Sequence, residues 1–187
     1  MNIILASQSP RRRQLLEWAE VSFEIMVANT EEVFPEDLAL VDVPVFIARE
    51  KAMKIANKLA DNNKPILAAD TIVVVNNEII GKPVNREEAI GFLSKLSGKI
   101  HQVITGVVIL NGESEVAFAD ITEVEFHPLT QEQIAFYIDK YKPYDKAGAY
   151  AIQEWIGVVG IKSIKGDFYN VMGLPVSRVV AELKNIS

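Results

Sequence analysis

The sequence predicts a mixed α/β fold in which helices pack on a central, partly antiparallel sheet. Three observations carry this expectation. Segments with strand and helix character are mixed along the chain without strict alternation. Pro65 opens a strongly apolar run, Ile66–Val75, that reads as a buried strand. Two long strand-like segments, Lys99–Leu110 and Glu115–Phe126, are joined by Asn111-Gly112, the strongest hairpin signal in the chain.

The first element is a short strand, Ile3–Ala6, which feeds into Ser7-Gln8-Ser9-Pro10-Arg11-Arg12-Arg13. Ser9 is a good N-cap and Pro10 a good first helical residue, so a helix starts here with three arginines in its first turn. A second strand is expected near Ser22–Ala28, followed by an acidic loop from Asn29 to Asp42. A long helix is expected over Val43–Ala60, with the stripe Val45, Ala48, Ala52, Ile55, Ala56 and Leu59 at helical spacing. After the strand Ile66–Val75, Asn76-Asn77 turns the chain to Glu78–Ile80. Arg86–Ser97 reads as a helix ending at Gly98. Beyond the hairpin, Thr130 caps a helix through Tyr141, with Glu132 and Gln133 in its first turn. Val158–Ile164 reads as a strand and Pro175–Leu183 as the closing helix.

With 187 residues, 49% of them hydrophobic and 24% charged, the chain suits one globular domain over residues 1–187. A net charge of −6 argues against a nucleic acid polymer or an anionic membrane as partner. No cysteine is present, which removes thiolate metal sites and cysteine nucleophiles and fits a reducing cytoplasm. No signal peptide is expected, and no apolar run approaches the ~20 residues that span a bilayer. The long hairpin carries apolar positions that serve either a core or a homodimer interface, and the pattern leaves both open.

The arginine-bearing helix start is an electrostatic anomaly. A helix N-terminus favours anions, so three cations there call for a negative ligand. Free backbone N–H groups and guanidinium forks together favour phosphate. At about 100° per residue, Leu15, Leu16 and Ala19 mark the buried face of this helix. Arg12 falls near the middle of that face, Arg11 at its edge, and Arg13 points away toward water. The alternative is a surface basic cluster paired with Glu17 or Glu20.

Asp70 is the second anomaly, a carboxylate inside an apolar strand. It either binds a cation or satisfies backbone N–H groups at a strand end. Thr71 faces the opposite way if the strand continues, and reaches the same pocket as Asp70 if the chain bends there. Lys82 sits between Gly81 and Pro83, and Lys51 flanks the apolar stripe of the long helix. Asp70 and one acid of Glu31-Glu32 could hold a hard divalent cation. Gln153 carries both a donor and an acceptor, as reading a base edge requires. His101 and His127 are isolated and read as structural. There is no Walker-type loop, dinucleotide-binding glycine fingerprint or nucleophile elbow.

Taken together, the segments Ala6-Ser7-Gln8-Ser9-Pro10-Arg11-Arg12, Glu31-Glu32, Arg49-Glu50-Lys51-Ala52, Ala69-Asp70-Thr71, Gly81-Lys82-Pro83, Thr105-Gly106, Asp145 through Gln153, and Val171-Met172-Gly173-Leu174-Pro175 resemble the Maf family of nucleoside triphosphate pyrophosphatases. The resemblance covers nearly the whole chain. It implies an elongated central mixed sheet with flanking helices and two lobes around a cleft, similar to inosine triphosphatases. It implies cleavage of a nucleoside triphosphate between the α and β phosphates, with Mg²⁺ or Mn²⁺ as cofactor. By that resemblance, Asp70 is the proton acceptor and, with Glu32, a metal ligand. Ser7, Arg12, Lys51 and Lys82 line the phosphate site. Arg11, Thr71 and Gln153 match the branch associated with dTTP, UTP and modified pyrimidine nucleotides, and are expected to read the base. Two other readings share the resemblance: a nucleotide-binding regulator of septum formation with little turnover, and a purine-directed pyrophosphatase of the inosine triphosphate type.

Overall fold

A computed structural model of the chain describes residues 2–27, 30, 32–59 and 64–186. Its seven-stranded sheet has the order β2-β1-β3-β5-β6-β7, with β4 paired to β3. β1 (Asn2–Leu5) runs parallel to both β2 (Ser22–Ile25) and β3 (Ile66–Val75). β4 (Glu78–Ile80) is antiparallel to β3, and β7 (Ile161–Lys165) is antiparallel to β6 (Ser114–Phe126). The mixed sheet inferred from the sequence is thus observed. β5 (Ile100–Asn111) and β6 form the long hairpin. Its turn lies one residue later than the sequence suggested, with Gly112 at φ +60°. Asn76 and Asn77 both have positive φ, 50° and 64°, as the tight turn between β3 and β4 requires.

The chain folds as two compact units, each discontinuous in sequence. The first comprises Met1–Thr71, Thr105–Asp120 and Gly173–Ser187. It contains α1 (Pro10–Trp18), α2 (Val43–Ala56) and α7 (Val176–Asn185). Its core gathers Ile4 and Ala6 from the first strand region, Ala48, Ala52 and Ile55 from α2, Ile66 and Ala68 from β3, and Val108 and Leu110 from β5. The stripe read along α2 is therefore its packed face, with Val45, Ala56 and Leu59 at the margin. Gly106 sets how closely α2 approaches β5: a Cβ there would lie 2.2 Å from the Pro44 carbonyl carbon and the Val45 nitrogen. Only glycine permits that approach.

The second unit comprises Ile72–Ile104 and Ile121–Met172. Within it α3 (Arg86–Leu96) packs on α4 (Gln131–Tyr141). Asn85 caps α3 by accepting from Glu88 N at 2.9 Å. Thr130 and Gln133 form a reciprocal capping box on α4. His101, Phe126 and Tyr150 meet edge to face with centroids 5.0–5.5 Å apart. His101 Nε2 lies 2.7 Å from the Tyr150 hydroxyl. Both histidine and tyrosine are buried, consistent with a structural role for His101.

Three expectations are corrected. Residues 158–160 are not strand: α5 spans Trp155–Gly160 and β7 begins at Ile161. The β-favouring pair Val158-Val159 is overruled by a local backbone contact, because Gly157 lets the chain turn directly against Ile152 just upstream. A Cβ on Gly157 would sit 1.7 Å from the Ile152 carbonyl oxygen. A 3₁₀ turn at Ala147–Ala149 and α6 (Phe168–Met172) have no counterpart in the sequence reading. Finally, α2 ends at Ala56 rather than residue 60, and β2 at Ile25 rather than residue 28. Residues 28 and 60 lie outside the described residues.

Candidate active site

β1 delivers the chain to Ser7, whose hydroxyl accepts from Ser9 N at 3.2 Å. Ser9 then caps α1, accepting from Arg12 N at 3.4 Å, and Pro10 occupies the first helical position. This local chemistry aims Arg12 inward. The residue is only 8% exposed, as its place on the buried face of the helix predicts. Its guanidinium donates from Nε to the Gly173 carbonyl at 2.8 Å, from Nη1 to Ser7 Oγ at 3.2 Å and from Nη2 to Thr71 Oγ1 at 3.0 Å. All three acceptors are neutral. Burial lowers the pKa of this guanidinium, Asp70 raises it, neighbouring Arg11 lowers it further and Glu32 raises it. Arginine nevertheless stays charged in proteins. Arg11 is half-buried. Arg13 is also half-buried rather than fully solvated, and donates to the Gln8 carbonyl at 3.4 Å.

β3 continues straight through Asp70 and Thr71, so these neighbours project to opposite faces and engage different cations. Asp70 is 7% exposed and accepts from Lys51 Nζ at 2.6 Å. Lys51 also donates to Glu32 Oε1 at 3.2 Å. One ammonium therefore bridges a buried carboxylate and a more exposed one. Ser7, Arg12 and Thr71 form one network, and Glu32, Lys51 and Asp70 another, all within the first compact unit. Glu31 lies outside the described residues.

Lys82 and Gln153 belong to the second unit and are both exposed. The Gly81 carbonyl beside Lys82 accepts from Gly148 N at 3.0 Å. Gln153 lies in a turn anchored on either side by Tyr137, whose hydroxyl accepts from Ala151 N at 3.1 Å and donates to Glu154. Gly148, at φ +71°, packs over Val73, whose side-chain carbons would lie 3.1–3.3 Å from an added Cβ.

Two residues with no role in the sequence reading join the arginine network. Thr105 is fully buried, with its Oγ1 2.9 Å from that of Thr71. Gly173 supplies the carbonyl on Arg12 Nε. The signal for Thr105 was of the same kind as for Asp70, a polar side chain inside an apolar strand. Gly173 acts through its backbone, which side-chain reasoning does not reach.

A buried arginine held by neutral oxygens can take an anionic ligand, and a lysine bridging two acids sets a buried carboxylate where it can accept a proton. The chain matches the family model described as Maf-like protein over residues 2–186. The chain belongs to the Maf-like protein family. Curated relatives of this Maf-like chain include proteins named dTTP/UTP pyrophosphatase from Cytophaga hutchinsonii and Parabacteroides distasonis. The first is 52% identical over 99% of this chain and 84% of the relative, the second 47% identical over 98% and 95%. A Bacteroides thetaiotaomicron protein of the same name is 45% identical over 98% of the chain and 95% of its own length. Among solved structures, the Ham1 protein of Staphylococcus aureus aligns over 100% of both chains with a TM-score of 0.52 at 14% identity, a likeness of fold.

Proposed function

We propose that this chain hydrolyses nucleoside triphosphates between the α and β phosphates, releasing the nucleoside monophosphate and pyrophosphate, with dTTP and UTP as substrates. The observation that carries the reading is Arg12, a buried cation whose direct partners are all neutral. A buried charge without a counter-charge in contact is costly, and a phosphate oxygen supplies one. The three bonds leave two of the five guanidinium N–H groups for that ligand. The substrate named in the relatives fits this chemistry.

In this proposal Ser7, Arg12, Lys51 and Lys82 bind the phosphates, and Arg11 and Gln153 contact the base. The single domain of residues 1–187 includes both compact units. Asp70 takes a proton from water as its oxygen attacks the α phosphorus. The bond from that phosphorus to the bridging oxygen breaks, and pyrophosphate carries the electron pair away. Lys51, already on Asp70, orients the carboxylate. Asp70 and Glu32 are the hard oxygen donors of this chain that would hold Mg²⁺ or Mn²⁺. When bound, such an ion neutralises charge developing on the phosphate oxygens. The compartment proposed is the cytoplasm, where nucleoside triphosphates are pooled. No helix among the described residues is long and apolar enough to cross a membrane.

The test is pyrophosphate release from dTTP, UTP, inosine triphosphate and GTP, with and without added Mg²⁺ or Mn²⁺. Metal-dependent release favouring dTTP and UTP is expected. Tight binding without turnover would favour a nucleotide-binding regulator instead, and preference for inosine triphosphate would favour a purine-directed enzyme.

A further inference from the structure

The hydroxyl of Thr71 has one proton and two lone pairs. One lone pair accepts from Arg12 Nη2 at 3.0 Å. Thr105 Oγ1 lies 2.9 Å away and the Gly173 carbonyl 3.5 Å away. If Thr105 donates, Thr71 accepts twice and turns its own proton toward Gly173. If Thr71 donates to Thr105, its proton is spent there. Both arrangements keep Thr71 on Arg12 and tie its hydroxyl to Thr105, with the Gly173 carbonyl at the margin of hydrogen-bond reach. Gly173 lies at the same corner, where at φ +115° it places its carbonyl on Arg12 Nε.

We infer that Thr71 is a positioning residue for Arg12, and that Thr105 and the Gly173 carbonyl complete the brace. This rests on the phosphate role proposed for Arg12. The guanidinium is held by three segments, the loop after β1, strand β3 and the turn before α7. Its rotamer is fixed before a ligand arrives, which lowers the ordering cost of binding. Thr71 and Thr105 thereby set affinity for the triphosphate moiety, whatever base it carries.

The experiment compares the full-length wild type with Thr71→Val, Thr71→Ser and Thr105→Val. The probe is inorganic tripolyphosphate, which has no base, bound by calorimetry in the presence of Mg²⁺. The kcat/KM values for dTTP and inosine triphosphate are measured in parallel. Thr71→Val should weaken tripolyphosphate about tenfold, the scale of one hydrogen bond to a charged group. It should lower kcat/KM for both nucleotides by the same factor, leaving their ratio unchanged. Thr71→Ser should restore affinity to within about twofold, and Thr105→Val should weaken it about threefold. Wild-type affinity for tripolyphosphate in Thr71→Val, with an altered dTTP to inosine triphosphate ratio, would show that Thr71 reads the base and overturn the inference. If Thr71→Val does not fold, Thr105→Val decides by the same two readouts, and unchanged affinity there overturns it. A wild type that does not bind tripolyphosphate at all removes the phosphate role of Arg12 and the inference with it.

Discussion

Replacing Gly106 with alanine tests how the fold places Lys51. The added methyl would sit 2.2 Å from the Pro44 carbonyl carbon and the Val45 nitrogen, and 2.5 Å from the Pro44 oxygen. All three are backbone atoms at the start of α2, so no side-chain rotation relieves the overlap. Restoring ordinary contact displaces that helix end by about 1 Å, since the packed interior has no void to absorb it. Lys51 lies about 10 Å from them along the same helix at 1.5 Å per residue, close enough for a rigid element to carry the shift. Overpacking of this kind costs about 2 kcal/mol. For a chain of this size that lowers Tm by about 6 °C. Misplacement by about 1 Å near reacting groups costs up to about a hundredfold in rate. Gly106→Ala should therefore melt lower and lose ten- to a hundredfold in kcat/KM for dTTP, at about that upper scale. Thermal unfolding and pyrophosphate release measure the two effects separately. A normal Tm with normal kcat/KM would refute the close-approach argument. A lowered Tm with intact kcat/KM would refute the transmission from Gly106 to Lys51.

Tyr137→Phe removes the hydroxyl that anchors Ala151 N and Glu154 on either side of Gln153. It should cost about 2 kcal/mol, because a buried N–H loses its acceptor. It should also change the dTTP to inosine triphosphate ratio, and an unaltered ratio would count against Gln153 as a base contact. Burial pushes the His101 pKa down to about 4 from 6.5. The unfolded chain takes up that proton first as pH falls, so stability held above pH 6.5 is lost toward pH 4, about 2 kcal/mol of it by pH 5. Thermal unfolding at pH 7 and pH 5 should show this loss in the wild type and a smaller loss in His101→Gln; equal losses would contradict it.

Local signals were the ones legible in the sequence. Ser9 and Pro10 announce the start of α1, and the structure caps it with Ser9. The helical period of Leu15 and Leu16 places Arg12 on the buried side, where it lies. Pro65 and the paired asparagines bound β3 and β4 as read. What Arg12 touches was not legible, because Gly173 is 161 residues away in sequence and contributes only a carbonyl. Alternation along β3 tells that Asp70 and Thr71 diverge, but not which cation meets each. Helix α5 was misread because Val158 and Val159 favour strand by propensity, whereas the close backbone approach of Gly157 to Ile152 leaves no mark in the hydrophobic pattern.

The most direct measurement is pyrophosphate release from dTTP by Asp70→Asn beside the wild type, with nucleotide binding followed in both. The substitution keeps the size of the side chain on Lys51 and removes its capacity to take a proton. The account predicts that binding survives while kcat falls by about 10²–10⁴, the usual share of a general base. Near-wild-type turnover by Asp70→Asn would contradict it.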